Sequence, residues 1–155
     1  MNAEMPVSAL AEFGKLINIP TLAFDPFGYC CLLIDEITVN LEYDPSNGNL
    51  LVYAHLGLLP EPASTAFCEM LLEANFFCRD TNNATLGIDR ASRAIVLYLS
   101  HPSTSLDGAA LEAVISRFTN TAESWKRRIA AQPFQATPET CPPTAFADQL
   151  NATRI

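Results

Sequence analysis

Residues 50–75 constrain the fold most. They read LLVYAHLGLLP, EPAS and TAFCEMLLEAN, a strand pattern that runs through Leu58-Leu59-Pro60 into a helix whose only charges are Glu69 and Glu73. At 3.6 residues per turn, these two share one narrow polar stripe. Phe67, Cys68, Met70, Leu71, Leu72, Ala74 and Phe76 cover the rest. A helix this apolar must be buried on two sides, and a single sheet face covers only one. In a short chain, a second copy most easily supplies the other side.

A length of 155 residues predicts one domain, large enough to bury about 70% of its unfolded surface. Hydrophobic residues make up 49% and charged residues only 17%, so apolar surface is left over for a partner. The net charge is −8, and it is concentrated early. The first 78 residues hold ten Asp or Glu against the single Lys15, a balance that repels nucleic acid and aids solubility. The five cysteines, Cys30, Cys31, Cys68, Cys78 and Cys141, form no framework and no CxxC pair, which predicts reduced thiols in a cytoplasmic protein. The N-terminus has no signal-peptide pattern, and no apolar run approaches the ~20 residues needed to cross a bilayer.

The periodicity predicts an α+β domain with the order helix, three strands, helix, two strands, helix, and an antiparallel sheet. Val7 to Ile17 is helical, with Leu10, Phe13 and Ile17 on one side. Tyr29 to Ile34 is a compact apolar strand, and Thr38 to Tyr43 alternates, with Val39, Leu41 and Tyr43 inward. The turn Asp44-Pro45-Ser46-Asn47-Gly48 folds the strand Asn49 to Leu58 back on it. The second helix is expected to stop near Asn75, a residue that tolerates the left-handed conformation found just past helix ends. Ala84 to Asp89 and Ala94 to Ser100 form a second hairpin, with Leu86, Ile88, Ile95, Leu97 and Leu99 inward. Ser105 to Ile129 is the longest helix; its apolar stripe runs Leu106, Ala110, Val114, Phe118, Ala122, Trp125, Ile129, with Lys126, Arg127 and Arg128 in the last turn. The domain covers residues 1–131. Residues 132–155, with Pro133, Pro138, Pro142 and Pro143, read as a disordered tail.

No catalytic, cofactor or metal constellation emerges. Cys30 and Cys31 point to opposite faces of a strand, Cys68 lies on an apolar helix, and the glycines form no phosphate-cradling loop. An acidic chain with no such site and with surplus apolar surface suits binding of another polypeptide. One alternative is a small cysteine-dependent hydrolase using Cys31 or Cys68 with His55.

Five segments occur in a characteristic order: Leu10-(x3)-Gly14-(x1)-Leu16; Gly28-Tyr29-Cys30-Cys31-Leu32 leading to Ile34-Asp35; Leu56-Gly57-Leu58-Leu59-Pro60; Leu71-Leu72-Glu73-Ala74-Asn75; and Leu86-Gly87-Ile88-Asp89. Over Val7 to Ile129 the chain resembles the class I type III secretion chaperones of the Tir-chaperone (CesT-like) family. The resemblance implies a cytoplasmic homodimer without cofactor or membrane insertion. Such a dimer binds an extended segment near the N-terminus of a secreted effector, keeps it secretion-competent and helps deliver it to the export apparatus, whose ATPase is a further expected partner. It also implies an effector surface on the first helix and first three strands, here Leu10, Phe13, Ile17, Leu22, Phe24, Leu32 and Ile34. The dimer surface is expected on the second helix, at Phe67, Met70, Leu71 and Ala74. On this division of surfaces, Phe13→Asp abolishes effector capture and leaves the dimer intact. A same-fold regulator whose partner is not exported is a further alternative. The tail is either an inert extension or a docking segment for another export component.

Overall fold

The computed structural model describes residues 4–132, so the tail expected over 132–155 lies almost wholly outside the described residues. The elements are α1 (Glu4–Leu16), β1 (Tyr29–Ile34), β2 (Ile37–Asp44), β3 (Asn49–Leu58), α2 (Thr65–Asn75), β4 (Thr85–Ile88), β5 (Ala94–Pro102) and α3 (Gly108–Ala130). This is the expected α+β order. The strands form one antiparallel sheet in the order β1-β2-β3-β5-β4, which leaves β1 and β4 as its edges. The chain therefore leaves β3 through α2, forms the far edge first and returns beside β3.

The core is built on one sheet face. Val39, Leu41, Val52, Ala54, Ile95 and Leu97 are fully buried there, and α3 lies across β2 and β3 with α1 beside it. The stripe of α3 in deepest contact is Leu111, Ile115, Phe118, Ala122 and Trp125. The expected Ala110 and Val114 flank it, half-buried, because a helix wedged between a sheet and a second helix buries the middle of its apolar arc. The first turn of α3 begins at Gly108 rather than Ser105. Residues 103–105 make a 3-10 turn, and the Asp107 carboxylate accepts from Ala110 N at 2.7 Å, capping the helix.

Small residues permit the two closest approaches. A Cβ on Gly14 would stand 2.6 Å from the Ile19 carbonyl oxygen and 2.8 Å from Leu22 Cβ, so only glycine lets the chain fold back against α1. At Gly108 the α3 N-terminus packs directly on α1, and its N–H donates to Glu12 Oε2 at 2.9 Å.

Asn75 ends α2 by a different device from the one expected. Its backbone is right-handed (φ −76°), while the left-handed residues are Phe77 and Cys78 (φ 54° and 52°). Asn75 instead uses its side chain as a strand: Nδ2 donates to Leu86 O at 3.0 Å, and Oδ1 accepts from Leu86 N at 2.8 Å. The edge of β4 is thereby paired by a side chain in place of a neighbouring backbone. Ile88, expected inward, is 45% exposed, because β4 ends there on the sheet margin.

Candidate functional site

With the helices gathered on one face, the opposite face of the sheet and the outer edge of β1 are left uncovered. Strand parity assigns the edge. Tyr43 N donates to Gly28 O, so from that carbonyl onward Cys30, Leu32 and Ile34 direct their backbone groups toward β2, and Tyr29, Cys31 and Leu33 direct theirs outward. The outward groups of Tyr29 are taken by Asp25, whose N–H donates to Tyr29 O at 2.8 Å and whose Oδ1 accepts from Tyr29 N at 2.9 Å. Among the described residues, none of these irregular backbone bonds reaches Cys31 or Leu33. That stretch of β1 can accept another strand.

Exposed apolar side chains occur on this edge, in the segments before it and on α1. Leu33 is 74% exposed, Phe27 89%, Leu16 53%, Val7 51% and Ile19 42%. On α1, Val7 and Leu16 flank the buried stripe of Ala9, Leu10 and Phe13 on either side. Of the residues predicted to line the binding surface, Leu10, Phe13 and Leu32 are buried at 0%, 3% and 8% exposure. Ile17, Leu22, Phe24 and Ile34 are half-buried against the same core. Three of the seven thus lie beneath the surface and four lie partly exposed at it. An Asp at position 13 would meet the core before any partner. The periodicity pointed to the buried stripe. The overlooked signal was that Tyr29 to Ile34 is apolar on both strand faces, which an edge strand over a single core does not require.

A second exposed apolar cluster lies at the end of α2. Phe67, Leu71 and Ala74 are buried within their own chain and Met70 is half-buried, whereas Leu72 is 70% exposed, Phe76 61% and Phe77 77%. The Phe76 and Phe77 rings touch, with centroids 4.4 Å apart. One chain therefore covers only one side of α2.

A cleft of about 390 Å³ separates the β1–β2 turn from the end of α3, lined by Glu36, Ile37, Glu123, Lys126, Arg127 and Ala130. Lys126 Nζ donates to Glu36 O at 2.8 Å across it. Arg128 stacks over the Trp125 ring at 3.9 Å and pairs with Asp80 at 3.4 Å, both contacts on the surface of α3.

Cys31 and His55 are not arranged as a nucleophile–base pair. Cys31 stands on β1 and His55 on β3; Asn40 of β2 faces Cys31 on one side and Tyr53 on the other, so His55 lies two strands across and two residues further along, roughly 12 Å away. Burial pushes the Cys30 thiol upward, with Cys31 and Asp25 adding to the shift. On the open face, the Tyr29 hydroxyl donates to Asn40 Oδ1 at 2.6 Å, and Asn40 Nδ2 donates to Tyr53 O at 3.2 Å. Tyr29 is pushed up to about 12, first by its hydrogen bonding with Cys31 and then by burial. Among the described residues, no three of His, Cys, Asp and Glu are grouped to hold a metal ion, and no helix is long and apolar enough to cross a membrane.

The model of the Tir chaperone protein (CesT) family matches residues 8–126. A Chlamydia pneumoniae protein is 27% identical over 119 residues, covering 75% of this chain and 89% of the relative. The fold is similar to a chain of the ExsC–ExsE complex, with TM-score 0.69 and 26% identity over 82% of this chain and 96% of that one. It is also similar to a chain of the HopA1–SchA chaperone–effector complex, with TM-score 0.60 and 23% identity over 77% and 88% of the two chains. The Yersinia pestis type III secretion chaperone SycH, in complex with a fragment of YscM2, gives TM-score 0.61 and 18% identity over 77% and 98%. The last two likenesses concern the fold.

Proposed function

Because the chain belongs to the Tir chaperone protein (CesT) family, we propose that it is a homodimeric type III secretion chaperone that holds an extended segment near the N-terminus of an effector. The observation that carries this reading is the open β1 edge at Cys31 and Leu33, with Leu33 itself exposed and Phe27 exposed in the segment that leads into the strand. An extended segment gains main-chain hydrogen bonds at that edge and places alternate apolar side chains on Leu33 and on the flank of α1. Bound in this way, the segment is kept unfolded and its apolar groups are shielded, which is what export requires. A solved chain of the same fold occurs in a chaperone–effector complex, which supports the choice of partner. Delivery to the export apparatus, including its ATPase, belongs to the same reading.

The dimer is carried by α2. A second copy packed on Leu72, Phe76 and Phe77, beside half-buried Met70, buries the side of the helix that one chain leaves open. Size-exclusion chromatography with light scattering, followed by co-purification with secreted proteins encoded nearby, tests both parts. A dimer that captures the N-terminal fragment of an exported protein is the expected result. A strict monomer, or a dimer whose captured partner is never exported, overturns the reading; the second outcome points to a cytosolic regulator.

A further inference from the structure

A separate cavity of about 120 Å³ lies between the segment after α2, β5 and the middle of α3. Thr81, Asn83, His101 and Arg117 supply its polar lining, and Leu99 and Phe118 are among its apolar walls. Thr81 is 0% exposed, and its Oγ1 has no hydrogen-bond partner among the described residues. A buried hydroxyl in this state is costly unless a ligand or water satisfies it. The neighbouring polar groups are selective in sign. No carboxylate lines the cavity, although the chain carries a net charge of −8. Arg117 makes no ion pair among the described residues. His101 Nδ1 lies 2.9 Å from Pro102 O, which leaves Nε2 uncommitted. Asn82 Nδ2 is held by Thr121 Oγ1 at 2.8 Å, and both Asn82 and Asn83 are left-handed (φ 50° and 68°), so the loop that forms this wall is fixed in an uncommon conformation.

The space is large enough for several waters or one tetrahedral oxyanion. We propose that this cavity binds a small oxyanion of the phosphate type, with the Arg117 guanidinium and the Thr81 hydroxyl as its donors. Arg117 supplies the charge and the forked geometry that phosphate oxygens match, and Thr81 supplies the buried donor that otherwise has no acceptor. The inference is independent of effector binding, because the cavity adjoins β5 and α3 and not the β1 edge.

The test uses the full chain at constant ionic strength, with inorganic phosphate replacing chloride and acetate as a control. Thermal unfolding is expected to rise saturably with phosphate, and amide NMR shifts to concentrate at Thr81, Asn83, His101 and Arg117. Thr81→Val removes the orphan hydroxyl at nearly constant shape, and Arg117→Gln changes an exposed side chain, so both variants stay folded. Each is expected to weaken phosphate binding at least tenfold. No saturable response, an equal response to acetate, or undiminished binding in both variants overturns the proposal.

Discussion

Asn75→Ala isolates the side-chain strand that closes the β4 edge. The substitution removes two hydrogen bonds, of 3.0 and 2.8 Å, to the backbone of Leu86, a residue only 6% exposed. Each bond contributes about 1 kcal/mol net, and a buried N–H left without a partner adds about 1–3 kcal/mol. Asn75 is itself half-buried, so water can reach part of the gap, and the expected loss is about 2–3 kcal/mol. For a domain of this size, that lowers Tm by roughly 6–12 °C. Urea unfolding at a fixed protein concentration reads the same quantity as a fall in midpoint with m unchanged; the concentration is held because a dimer would add its own stability. Asn75→Asp separates the two bonds: its carboxylate still accepts from Leu86 N but faces Leu86 O without a donor, so the loss persists at neutral pH. A change below ~0.5 kcal/mol for Asn75→Ala would refute the assignment and mean that Leu86 is satisfied by other groups.

Three further outcomes are expected. Leu33→Asp, at a position 74% exposed, leaves the melting curve within ~0.5 kcal/mol of wild type and abolishes effector capture in a pull-down; Phe13→Asp, at 3% exposure, unfolds the chain by burying an unpaired charge. In native thiol alkylation read by mass spectrometry, exposed Cys31 reacts rapidly, while Cys30, 6% exposed and with its thiol pushed up, reacts only on unfolding. Tyr29, at about 12 against an ordinary 10.0, stabilises the fold fully below pH 10 and progressively less as pH rises through 10 to 12, because the unfolded chain ionises first. Tyr29→Phe is therefore expected to flatten the alkaline fall in stability, measured by unfolding between pH 8 and 11.

Much of the architecture is legible in the sequence because strand and helix periods are local. The alternation in Val39, Leu41 and Tyr43 and the turn at Asp44 to Gly48 dictate one antiparallel pair, and β1, β3 and α2 have the expected bounds. The candidate site is less legible. Periodicity identifies which side chains share a face, and in Leu10, Phe13 and Leu32 it identified the face turned to the chain's own core. Leu33 falls outside that stripe, and only the placement of β1 at the margin of the sheet leaves it on an open edge.

The sequence by itself determined the α+β class, the order of the elements, the absence of a recognisable catalytic motif and an α2 too apolar for one covering layer. Each follows from residue type and spacing along the chain. Only the tertiary structure decided that β5 rather than β4 lies beside β3, that Asn75 works through its side chain, and that β1 is an open edge with Leu33 exposed on it. Those outcomes depend on which surfaces meet, and contacts between segments distant in sequence leave no periodic trace in either one.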